Sequence, residues 1–106
     1  MAHFPQVFFK ETPNILAFGI ESSDIKVSSK IKYVNGDQRT VLKLRGLIYF
    51  GDIHFTSRII SDDGTIWYHD VMVTGGTTVL DGRLDEMTPK ALLTCRGKKL
   101  EIALYA

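Results

Sequence analysis

The chain has 106 residues, of which 44% are hydrophobic and 24% charged, with a formal net charge of +1. That length suits one domain, 1–106, with a single modest core, and so small a charge excludes a field drawing the chain to nucleic acid or an acidic membrane. No apolar run approaches the roughly 20 residues of a membrane span, and Met1-Ala2-His3-Phe4-Pro5 lacks the basic start and apolar stretch of a secretory signal.

The single cysteine, Cys95, has no partner for an internal disulfide, which suits a cytoplasmic or nuclear setting. One Cys and three scattered His residues make no structural zinc set. No metal and no cofactor are expected.

In chain order, Phe4 to Lys10 is a short aromatic-rich start, and Pro13 breaks the backbone ladder. Asn14 to Ile20 is almost wholly apolar and fits a strand buried on both faces, although so short a run also fits a helix. Glu21 to Asp24 is turn-like, and Ile25, Val27, Ile31 and Tyr33 predict one or two short strands. Asn35-Gly36 is a hairpin signal of the type I′ kind. Arg39 to Phe50 alternates, which puts Leu42, Leu44, Gly46, Ile48 and Phe50 on one face. Gly51-Asp52 then turns the chain into a strand from Ile53 to Ile60.

Ser61-Asp62-Asp63-Gly64 decides the next register. A three-residue loop ending in a left-handed Gly64 pairs Ser61 with Thr65, so Thr56 faces Asp70 and Arg58 faces Tyr68. His54 and Asp70 then share a face as diagonal neighbours, about 7–8 Å apart before side chains reach. A two-residue loop would put them on opposite faces. Beyond Val73, Gly75-Gly76 reads as a turn and Thr77 to Leu80 as a short strand. Thr88-Pro89 reads as an N-cap with proline opening a short helix that ends before Gly97. Leu100 to Tyr105 closes the chain as a strand. The expected class is mainly β, an antiparallel sheet with at most one short helix.

His54, flanked by Ile53 and Phe55 at a strand start, is a candidate base, with an idle rim histidine as the bland alternative. Asp70 is a candidate orienter of the imidazole, against an ordinary strand-end aspartate. Trp67 is expected to pack on the sheet and Tyr68 to frame a cleft, as weak binding candidates. Basic residues do not interleave with them as a nucleic-acid stacking platform requires. His54, His69 and Asp70 match no established metal spacing. Cys95 reads first as a buried structural thiol; as a nucleophile it needs a base beside it.

The chain resembles the C-terminal half of the ubiquitin-specific protease catalytic domain, a papain-like cysteine peptidase fold. The resemblance covers most of the chain. Pro13 to Phe18 resembles the opening of that half, and Leu42 to Tyr49 the strand leading to the histidine box. Gly51-Asp52-Ile53-His54-Phe55-Thr56 resembles the box itself, Trp67 to Asp70 the strand before the triad acid, and Leu100 to Tyr105 the last strand. Some residues depart from the pattern. Asp52 and Ile53 separate the glycine from His54, Asp70 comes one residue early, and no cysteine precedes His54.

The resemblance implies half of a papain-like peptidase fold, with His54 as base and Asp70 as orienter but no upstream nucleophile. The isolated chain is then expected to be inactive. It is a piece of a longer peptidase, a natural half-domain, or a rearranged site in which Cys95 serves in the order His, Asp, Cys, as in small-ubiquitin-like-modifier proteases. The implied partners are ubiquitin or a ubiquitin-like protein, and the missing half-domain or a second copy of the chain. A non-catalytic ubiquitin- or protein-binding module is the alternative.

Overall fold

The computed structural model describes Val7–Phe8 and residues 15–20, 27–70 and 77–106. The readings for Pro13-Asn14, Glu21 to Asp24, Ile25, Val73 and Gly75-Gly76 fall outside those residues. The strands in chain order are β1 Val7–Phe8, β2 Leu16–Gly19, β3 Lys30–Asn35, β4 Gln38–Gly51, β5 His54–Ile60, β6 Thr65–His69, β7 Val79–Arg83, β8 Thr94–Cys95 and β9 Lys98–Tyr105. All pair antiparallel except β1 with β3. The class is mainly β, as the alternation predicts.

β4 is the central strand. Its first half pairs with β3, and its second half lies between β5 and β9. From β5 the sheet continues through β6 to β7, and from β9 to β2 and β8. The face assignment along β4 needs correction. The β4–β9 register shifts between Leu44 and Gly46, and again between Ile48 and Tyr49. Such a bulge inserts one residue and flips the side-chain alternation. The buried positions are therefore Leu42 and Leu44 before the first bulge and Leu47 and Tyr49 after it, while Phe50 is exposed. Uniform alternation does not hold across the bulge.

One face of the sheet carries the core. Ile60, Ile66, Tyr68, Leu100, Ala103 and Tyr105 join the four β4 residues there, with Leu92 and Cys95 in the same cluster. Along the opposite face, Gly46, Ile59, Trp67 and Leu80 form a row through successive pairings. Ile59 and Leu80 are exposed, as are Phe50 and Phe55, whose rings pack 4.6 Å apart.

Three local expectations change. β2 is not buried on both faces: Leu16 and Phe18 are half-buried, while Ala17 and Gly19 are exposed. Gly36-Asp37, not Asn35-Gly36, is the two-residue loop, since Asn35 pairs with Gln38. Gly36 has φ +61 at the first central position, the slot where a type II′ turn wants glycine. In place of an α-helix there are two 3₁₀ turns, Leu84–Glu86 and Pro89–Leu92. Thr88 caps the second as expected, its Oγ1 accepting the Ala91 N–H at 3.2 Å. The chain then enters β8 and turns through Arg96 and Gly97, both at positive φ, into β9.

Candidate functional site

His54 opens β5 straight after a two-residue turn. Gly51 pairs with His54, and Asp52 and Ile53 between them have φ +51 and +66. Positive φ at both central positions is the type I′ pattern, which matches the twist of the flanking strands. A β-branched residue at such a φ is strained, and Ile53 stands 93% exposed at the tip. Gly51 is needed for a different reason. A Cβ there would lie 2.8 Å from Lys98 Cγ and 3.3 Å from Lys98 Cα, so β9 approaches too closely for a side chain.

The loop after β5 has three residues. Ser61 N donates to Thr65 O at 2.9 Å, and Gly64 has φ +86. Asp63 Oδ1 accepts the Thr65 N–H at 3.0 Å, which holds its carboxyl below the usual range. Arg58 pairs with Tyr68 and Ser57 with His69, with no register shift. His54 and Asp70 thus lie diagonally on the core face. Their side chains bridge the gap, with His54 Nε2 3.3 Å from Asp70 Oδ2.

Burial separates the two partners. The Asp70 side chain is 4% exposed and that of His54 26%, so the carboxylate lies beneath a ring that solvent or substrate reaches at its edge. Tyr68 donates its hydroxyl to the same Asp70 oxygen at 3.3 Å. Burial first, and then the Asp70 charge, push the Tyr68 phenol up, so it remains a proton donor. With Nε2–H donated to Asp70, the Nδ1 lone pair is the basic position of a neutral ring. Nδ1 lies 3.4 Å from the Asp52 carbonyl oxygen, which can only accept, so Nδ1 offers a lone pair to another group only when that contact opens.

Behind the pair is a charged network. Arg58 on β5 is 7% exposed. Its Nε donates to Asp81 Oδ2 at 2.8 Å, and its Nη1 reaches Tyr49 Oη at 3.1 Å and the Ala91 carbonyl at 3.0 Å. Asp81 Oδ1 lies 3.2 Å from Arg96 Nη2. The Arg96 guanidinium in turn sits 3.5 Å from the centre of the Tyr68 ring. Sequence reasoning gave Arg58 only a register partner and did not single out Asp81. The available signal was an arginine at an inward position of β5, between Thr56 and Ile60, where a buried charge requires a partner.

The other candidates are placed as follows. Tyr68 is buried on the core face and does not frame a cleft. Trp67 is half-buried on the opposite face, where its Nε1 donates to Ser61 Oγ at 2.9 Å. His69 is one residue out of phase with Asp70 and faces away from His54. Among the described residues no three His, Cys, Asp or Glu side chains gather as a metal site. Cys95 is buried and pairs with Lys98. Proton transfer to His54 needs about 3 Å, and between the two residues stand Arg96 and Tyr68. Arg96 Nη1 lies 3.6 Å from the Cys95 sulfur.

A groove of about 670 Å³ opens elsewhere, lined by Val27, Lys43, Ile60, Gly64, Leu84 and Leu92 among others. It lies at the far end of β5, roughly 20 Å along the strand from His54, and contains no histidine. The His54–Asp70 pair lies at the hairpin base, outside this groove. No helix among the described residues is long and apolar enough to cross a membrane. Comparison with protein-family models, curated proteins and solved structures finds no match to this chain.

Proposed function

We propose that the chain is the base-bearing β half of a thiol peptidase of the ubiquitin-specific protease kind, acting in the cytoplasm or nucleus. His54 is the general base, Asp70 orients it, and the nucleophilic thiol comes from a segment or chain beyond these residues. The observation that carries this is His54 Nε2 held 3.3 Å from a buried Asp70 carboxylate, with Nδ1 toward the open edge. When Nδ1 turns from the Asp52 carbonyl, it takes the proton of an incoming thiol. The thiolate attacks the scissile carbonyl carbon, and the imidazolium returns its proton to the leaving amine. Asp70 stabilises the imidazolium without itself gaining the proton. Cys95 is a structural thiol in this reading, and no metal or cofactor takes part.

The test has two arms. The chain alone, with ubiquitin carrying a C-terminal fluorophore, should release no dye. Release lost in both Cys95→Ser and His54→Ala would overturn the need for an outside thiol, and release that survives Cys95→Ser would overturn the thiol mechanism. Unlabelled ubiquitin added to the ¹⁵N-labelled chain should shift signals around His54, Phe55 and Asp70. No shift at millimolar ubiquitin would remove ubiquitin as the substrate class.

A non-catalytic protein-binding reading has its own support. Phe50, Phe55, Ile59 and Leu80 leave apolar surface on the outer sheet face, of a kind that partners cover. Under that reading the ubiquitin shifts fall on β5 and β7 outer-face residues and persist in His54→Ala.

A further inference from the structure

We infer that Arg96 and Asp81 are positioning residues for the His54–Asp70 pair, acting through Tyr68. The inference rests on the reading of that pair as the working site and adds what holds it in place.

The contacts form one chain. Arg58 is fixed on three oxygens, those of Tyr49, Ala91 and Thr94, at 3.0 to 3.3 Å. Its Nε holds one oxygen of Asp81, and the other oxygen of Asp81 holds Arg96. Arg96 lies flat enough on Tyr68 for a guanidinium-to-centroid distance of 3.5 Å, close for a cation–π contact. Tyr68 then places its hydroxyl on Asp70 Oδ2, the oxygen that faces His54 Nε2.

The geometry explains why positioning is needed. Asp70 lies at the end of β6, one residue past the last ladder pair. The β5–β6 ladder therefore does not hold Asp70, and side-chain donors help to orient its carboxylate. Tyr68 is one such donor, and the Arg96 guanidinium covers one face of its ring. Arg96 does this from the β8–β9 turn at φ +49, anchored by Asp81 on β7. The site is thereby tied to strands on both sides of the sheet.

The probe is the Nε2–H proton of His54 in the ¹⁵N-labelled full chain, observed at fixed pH and temperature. In the wild type it should be visible and slow to exchange with water, and Asp70→Asn should abolish it. Tyr68→Phe and Arg96→Asn should each raise its exchange rate by about tenfold or more, the loss expected for a hydrogen bond to a charged group. Asparagine suits the positive φ at residue 96, so the fold survives while the guanidinium is lost. Arg96→Lys keeps the charge without the planar stack and should give an intermediate rate. Arg39→Leu, which removes an exposed cation at the far end of β4, should leave the rate unchanged. Far-UV circular dichroism confirms folding of each variant. A wild-type proton that is absent, or indifferent to Asp70→Asn, overturns the pair itself. A protected proton that survives both Arg96→Asn and Tyr68→Phe unchanged leaves the pair standing and overturns the positioning role.

Discussion

Thr56 lies between Tyr49 on β4 and the Asp70 end of β6, with its side chain 3% exposed. Its hydroxyl is buried with no hydrogen-bond partner among the described residues. An unpaired buried polar group costs roughly 1–3 kcal/mol, and β-branched valine keeps the strand preference and nearly the shape. Thr56→Val should therefore stabilise the fold by about 1 kcal/mol, read as a higher urea midpoint at constant slope. An unchanged or lower midpoint would mean that the hydroxyl is satisfied in solution. Residue type also explains the turn before His54. Asp52 and Ile53 take the φ values of a type I′ loop without the usual Asn-Gly, so the spacing from Gly51 to His54 is a hairpin loop and not an insertion within a strand.

At the level of elements, the site depends on one hairpin and one ion-pair network. The three-residue loop at Asp62-Asp63-Gly64 sets the β5–β6 phase, and that phase puts His54 and Asp70 on the same face. The network then joins β5, β7 and the β8–β9 turn through Arg58, Asp81 and Arg96. Arg58 and Asp81 have side chains only 9% and 13% exposed. Removing one member strands the other's charge, so Arg58→Ala should cost about 3–5 kcal/mol. The double change Arg58→Met with Asp81→Leu should cost much less, because it removes both desolvation penalties. A double-mutant cycle by urea denaturation measures the difference. Equal losses from the single and double variants would mean that Arg58 stabilises by packing alone.

On the scale of the whole molecule, the core is closed by tyrosines. Burial pushes Tyr49 up to about 12, with Arg58 pulling the other way. Burial also raises Tyr105, against the hydrogen bond to the Ser28 carbonyl. Unfolded tyrosine ionises near 10. Between pH 10 and about 12 the unfolded chain therefore loses a proton that folded Tyr49 keeps. Stability is whole below pH 10 and falls as pH rises through that window, by about 1.4 kcal/mol per unit for Tyr49. Denaturation midpoints measured across the window should fall, and tyrosinate absorbance should appear together with loss of near-ultraviolet dichroism. Tyrosinate appearing while the fold persists would show that these phenols are accessible. Local chemistry made much of this molecule legible in advance. Alternation marked β4, β5 and β9, Gly64 marked a left-handed loop, and Thr88-Pro89 marked a capped turn, because each depends on neighbours within a few residues. The β4 bulges were hidden, since they arise where β9 is laid against β4 from 51 to 61 residues away in sequence, and they move Leu47 and Tyr49 into the core. The Arg58–Asp81–Arg96–Tyr68 chain was hidden for the same reason. Arg58 carried a signal in its inward position on β5, but its partners Asp81 and Arg96 lie on distant elements, and only folding brings a buried charge to them.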